Sequence, residues 1–170
     1  LDRTSSGTLT IGATTATAIT LGQSTTISGS STFTTGTGAV SLQGDTTISA
    51  GKNLITAKGT DYSTTGVTAD VSIPGSLIRL TGASAQTIDS IAGGVDGRIL
   101  TIVNAAAQSA TLSNNTGATA ANRILTGTGA ALTLPADAAI TLVYDSGASR
   151  WRVTGTVTTA SGYANTALSN

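Results

Sequence analysis

The chain of 170 residues contains no cysteine, histidine, methionine or glutamate, and only one phenylalanine, one tryptophan and three tyrosines. Each absence closes a class of function. Without cysteine there is neither a disulfide framework nor a thiolate zinc site. Without histidine and glutamate the chain lacks the commonest general base and the most frequent transition-metal ligand. Eight basic residues balance eight aspartates, for a net charge of zero. That leaves no electrostatic footprint for nucleic acid or for an acidic membrane surface. No apolar run approaches the roughly 20 residues that span a bilayer, and no charged-then-apolar leader opens the sequence. Position 1 is leucine rather than methionine, so we expect the natural chain to start upstream or to have been processed.

What is present is small. Gly, Ala, Ser and Thr account for 101 residues, and Leu, Ile, Val and Phe for 36. The second group sits near the level, roughly 20%, below which a strongly charged chain stays disordered. Neutrality removes that self-repulsion, so a folded chain is expected. A domain of this length should bury roughly two-thirds of its surface. So few large apolar side chains make that difficult within one chain, and oligomerisation is the expected remedy.

The front of the chain repeats. Glycines punctuate it at Gly12, Gly22, Gly29, Gly36, Gly44, Gly51 and Gly59, in steps of 7 to 10 residues. Between them lie short β-like segments: Thr8-Leu9-Thr10-Ile11, Ala18-Ile19-Thr20-Leu21, Thr26-Ile27-Ser28, Thr32-Phe33-Thr34, Val40-Ser41-Leu42, Thr47-Ile48-Ser49 and Asn53-Leu54-Ile55-Thr56. The clearest alternate apolar with Thr or Ser, the period of a half-buried strand, and Thr and Ile favour pleated backbone. A single-chain β-helix needs a longer coil than these steps provide. Three chains, each giving one strand and one corner per turn, would satisfy the spacing. Leu9, Ile11, Ile19, Leu21, Ile27, Phe33, Val40, Leu42, Ile48 and Leu54 would then point to a shared axis. A flat meander of short strands in a monomer is the competing arrangement.

The rhythm breaks between Gly59 and Gly75, where Asp61 to Gly66 and Ile73-Pro74-Gly75 read as turns. Beyond Ser76 the apolar runs lengthen: Leu77–Leu80, Ile99–Val103, Arg123–Leu125, Leu132–Leu134, Ile140–Tyr144 and Trp151–Val153. Turn signals separate them, so a compact β-sandwich or barrel-like module is expected. The organisation reads as a repetitive β shaft over 1–60, a connecting segment over 61–75, a β knob over 76–154, and a polar tail or onward strand over 155–170. The fold class is all-β, a trimeric β-helix-like shaft followed by the knob.

With Gly7-Thr8-Leu9-Thr10-Ile11-Gly12 and Ala16-Thr17-Ala18-Ile19-Thr20-Leu21-Gly22, the front half resembles shaft repeats of bacteriophage tail-fibre and head-fibre proteins. Asp96-Gly97-Arg98-Ile99-Leu100-Thr101-Ile102-Val103-Asn104, with Tyr144-Asp145-Ser146 and Arg150-Trp151-Arg152-Val153, is similar to a small β module of phage structural proteins. The resemblance spans roughly residues 5–154. It implies a homotrimeric appendage of a virion, released with the particle to the extracellular space and contacting other virion proteins. It carries over no catalytic or binding residues.

Catalysis is not expected. A glycosidase needs two poised carboxyl groups, and Asp89 with Asp96, or Asp137 with Asp145, are the pairs on offer. Asp96, Asp137 and Asp145 all lie in turn-like sequence, where aspartate stabilises its own turn. A Ser or Thr nucleophile would have no histidine partner. No calcium-loop spacing occurs, Gly127-Thr128-Gly129 lacks the third glycine of a dinucleotide loop, and no cofactor or metal ligand set is expected. Lys52 and Lys58 read as solvated edge charges. Asn114-Asn115-Thr116 fits the glycosylation pattern, which we read as a chance match. Recognition is the alternative function: a host-receptor or glycan-binding module of a fibre or a secreted adhesin. Tyr62 and Tyr163 are the candidates for exposed recognition aromatics. Tyr144 and Trp151 are expected to anchor the core as a cross-strand pair. Partners are therefore further copies, other virion proteins and a cell-surface glycan or protein, with no nucleic acid and no membrane insertion.

Overall fold

The computed structural model describes Ile27 and residues 32–155. The chain divides into two units, Leu1–Ser49 and Ala50–Asn170. The positions Leu9, Ile11, Ile19 and Leu21, and the tail with Tyr163, lie outside the described residues.

In the first unit the described residues form neither strand nor helix, and all are exposed. Phe33 is 71% exposed and Leu42 67%. The strand-like segments expected at Thr32–Thr34, Val40–Leu42 and Thr47–Ser49 make no ladder within the single chain. The physical reason is length: an isolated short strand has no partner of its own and no face to bury.

The second unit is nearly all β, arranged as a β-solenoid of about 4 turns. Nine strands are described: β1 Gly66–Thr68, β2 Leu77–Leu80, β3 Gln86–Ile88, β4 Ile99–Asn104, β5 Ala110–Leu112, β6 Ile124–Leu125, β7 Leu132–Leu134, β8 Ala139–Asp145 and β9 Arg150–Val153. They form two sheets, in the orders β1-β3-β5-β7 and β2-β4-β8-β9-β6. The chain alternates between the sheets as it climbs. Leu77 pairs in parallel with Thr101 and Gln86 with Ala110, each 24 positions on. One coil lower, Gly66 pairs in parallel with Gln86, and single parallel bridges join Lys58 to Leu77, Tyr62 to Leu80 and Val71 to Ile91. Residues 61–75, which read as turns, thus belong to the first coil. Where the sequence pointed to a sandwich or barrel, this region coils on itself in parallel.

The climb then reverses. β7 runs antiparallel to β5, β8 antiparallel to β4, and β9 folds back on β8. A short 3-10 turn, Ala120–Asn122, leads into β6, which joins the far edge of β9 in parallel.

Alternation explains which side chains enter the core. β4 and β8 bury every second residue, so Leu100, Ile102, Ile140 and Leu142 meet Ile78, Leu80, Ile88, Leu112, Ile124 and Leu134 between the sheets. Each fully buried Leu or Ile contributes roughly 1.5–3 kcal/mol. Stacked coils also need close backbone approach. A Cβ at Gly59 would collide with the Pro74 carbonyl, and Gly75, at φ +100, faces Ala57 and Gly59 from the next coil. Glycine at both positions lets the first coil seat on the second.

Candidate recognition surface

Five groups of side chains bear on function. The first is aromatic. The Tyr144 and Trp151 rings meet edge-on, 5.3 Å between centroids at 73°, from directly opposed positions of β8 and β9. Trp151 is fully buried, and its Nε1–H donates to the Ile91 carbonyl at 2.8 Å. Sequence reasoning did not single out Arg98, whose guanidinium lies 5.6 Å from the Trp151 ring centroid. Arg98 donates to the Gly93 carbonyl at 2.6 Å and to those of Ile73 and Gly75 at 2.6 and 2.9 Å. It ties the corner of one coil to the next, with an aromatic face beneath it. Gly94 completes the packing, because a Cβ there would lie inside the Tyr144 ring.

The second group consists of two buried amides. Gln86 donates from Nε2 to the Tyr62 and Thr64 carbonyls at 3.1 and 2.6 Å, and accepts from Gly82 N–H at 3.2 Å. Asn104 donates from Nδ2 to the carbonyls of Gln108, Leu134 and Pro135 at 2.8–3.0 Å, and accepts from Ala106 N–H at 3.2 Å. Each amide adds a donor to carbonyls at the corners, among them Tyr62 and Pro135, which also accept from Thr81 and Ala138 N–H. Gln86 clips the first coil to the second, and Asn104 clips the third to the returning chain. No buried side-chain nitrogen or oxygen lacks a partner among the described residues.

The third group surrounds Asp70, which sits at φ +52. Its carboxylate accepts from Asn122 Nδ2 and Ser90 Oγ at 2.9 Å and from Thr119 Oγ1 at 2.7 Å. These donors, Asn122 foremost, hold its carboxyl below the usual range. Three donors from later coils on one aspartate fasten the corner and leave little of it for a ligand.

The fourth contains the aspartates offered as catalytic pairs. Asp96 accepts from Ser146 N–H at 3.0 Å. That bond is the main reason its carboxyl stays low, against opposition from nearby Asp145. Asp145 is held low chiefly by Arg152 at 2.6 Å, then by Ala148 N–H. Asp89 accepts from Ser113 Oγ at 2.6 Å, and Asp137 occupies the β7–β8 turn at φ +60. The structure brings Asp96 near Asp145, a pairing the sequence reading did not consider, and commits both to turns. No group of three or more potential metal ligands occurs among the described residues. No helix among them is long and apolar enough to cross a membrane.

The fifth lies on the first coil. Tyr62 is half-buried and packs against the core, while its backbone bonds Arg79 and Thr81 of β2 and its flank. Beside it Asp61 pairs with Lys58 and with Arg79 at 3.0 Å, and Lys58 is the main cause of its lowered carboxyl. Asp61, Lys58 and Arg79 form this charged cluster on the outer face, whereas Tyr62, in register with the buried Leu80, turns toward the core. No family model, curated protein or solved structure matches the chain.

Proposed function

We propose that the chain is a structural appendage of a virus particle, a homotrimeric fibre whose front segment is shared between copies and whose solenoid projects as the knob. One observation carries this reading: Ile27, Phe33, Val40, Leu42, Ile48, Leu54 and Ile55 are all exposed in the single chain. A chain this poor in large apolar residues leaves seven of them in water along one repetitive stretch. Repeated exposure of large apolar side chains supports burial against a partner. The regular glycine steps make identical copies the partner that fits. Zero net charge and carboxylates spent on turns support a scaffold rather than a catalyst.

Light scattering after gel filtration tests the reading. The expected mass is three times 16.5 kDa, and a monomer at micromolar concentration would overturn it. Electron microscopy of intact particles tests the location. The charged cluster of Lys58, Asp61 and Arg79 on the first coil favours a second reading, in which the knob binds a cell-surface glycan or protein. Binding of the trimer to a glycan array, lost in Asp61→Ala, would support it, and the absence of binding would remove it.

A further inference from the structure

The two ends of the second unit are built differently. At the far end the chain reverses through β7 and β8 and folds back on itself. At the near end β1 is the outermost strand of its sheet. Gly66 N–H bonds the Ala85 carbonyl, and the Thr68 carbonyl accepts from Asp89 N–H. By the alternation of a ladder, the N–H and C=O of Val67 therefore face outward. Natural edges are guarded by lysine, proline or inward charge. This one is not: residues 63–69 carry no charge and no proline, and Val67 is 70% exposed.

The same chain carries a strand-like segment with nowhere to go. Asn53-Leu54-Ile55-Thr56 forms no strand, is uncharged, and exposes Leu54 at 77% and Ile55 at 89%. It arrives at the open end, a few residues before Lys58 joins β2. Its own chain cannot place it over β1 in solenoid register. The coil spacing from Gly66 to Gln86 would set residues 46–48 there instead, and Lys58 leads into the other sheet.

We infer that the outer edge of β1 receives residues 53–56 of a second copy as an added strand. This rests on the trimeric reading above and specifies one contact within it. Backbone hydrogen bonds to Val67 supply the affinity, as in other strand additions; side chains alternate along the added strand, so Ile55 lies beside Val67 on one face and Leu54 covers the other. No charge is desolvated on either side. Each copy gives one segment and receives another, a head-to-tail contact that closes into a ring at three.

The test uses cysteine pairs in the full chain, which contains no cysteine of its own. Val67→Cys and Ile55→Cys change exposed side chains, and unchanged circular dichroism and melting check that the fold is kept. Under oxidised glutathione, mixed single variants should link one Val67→Cys chain to one Ile55→Cys chain. The double variant should run under denaturing, non-reducing conditions at three times 16.5 kDa. A disulfide within one chain, a link between two Val67→Cys chains, or a trimer that forms no link would each overturn the inference and leave the trimer standing. A wild-type monomer in light scattering would overturn both. As an independent measure, the Val67 amide in the wild-type trimer should exchange about a hundredfold more slowly than an open edge allows. Exchange at the open-edge rate would also overturn it.

Discussion

Residues 32–49 and the coils from Lys58 to Val153 draw on the same few residue types, yet only the second stretch folds upon itself. The difference is the distance to the next equivalent strand. In the coils, strands return after 18 to 24 residues, as in Tyr62 with Leu80 and Gln86 with Ala110. That exceeds the dozen or so residues a parallel crossover requires. In the front stretch the glycines recur every seven or eight residues, too soon for a strand to come back alongside itself. Composition does not separate the stretch that builds ladders within one chain from the stretch that does not. Coil length does.

The largest test of this contrast is to cut the chain. A fragment of residues 57–155 should melt cooperatively, with β-type circular dichroism. Residues 1–56 alone should show no cooperative transition. A stable monomeric front fragment would break the comparison outright. Next in size is a contrast of aromatic truncations. Trp151→Ala should cost roughly 3–5 kcal/mol by chemical denaturation, because it empties a sealed site and orphans the Ile91 carbonyl. Phe33→Ala should leave the melting of the 57–155 coils unchanged and weaken association instead.

Smaller effects sharpen the account of how the coils are held. Asn104→Ala should cost about 2 kcal/mol, since the carbonyls of Gln108, Leu134 and Pro135 each lose a side-chain donor at once. Gly94→Ala should cost about 1–3 kcal/mol through overpacking against Tyr144. The smallest effect concerns acidity. Asp61, Asp70, Asp96 and Asp145 are all held below their ordinary values, so the folded coils bind protons less readily than the unfolded chain. Their contribution is complete above the unfolded value of about 3.9 and is lost as the pH falls through the lower folded values. The melting temperature should be flat near neutrality and decline below about pH 4, with salt masking the exposed Asp61 and Asp145 pairs.

The sequence made one sheet legible and hid most of the other. Apolar runs announced β2, β4, β6, β8 and β9, and the sequence placed Tyr144 opposite Trp151 across a hairpin. In the other sheet only β7 was visible. β1, β3 and β5 are three residues long; β1 buries none of its residues, and β3 and β5 spend one of their two core positions on Gln86 and Ala110, so they lack the paired large apolar residues that mark a strand. The 24-residue repeat was masked at the same places. Ile78 and Ile102 correspond, but Leu80 stacks on Asn104 and Gln86 on Ala110, exchanging apolar for polar where a periodicity search looks for sameness. Arg98 escaped notice because its role depends on two carbonyls distant in sequence, those of Ile73 and Gly75. Only folding brings them within reach.

The reversal at β7 gives the molecule a direction in which it can grow. Every coil before it stacks parallel on its neighbour, so duplicating residues 77–100 would add one more layer, lengthening the body by about 4.8 Å and leaving both ends intact. A duplication placed after Ala110 would meet strands running the other way and find no ladder to join. Lineages carrying this architecture are therefore expected to differ in the number of middle coils, while the terminal fold-back keeps its length.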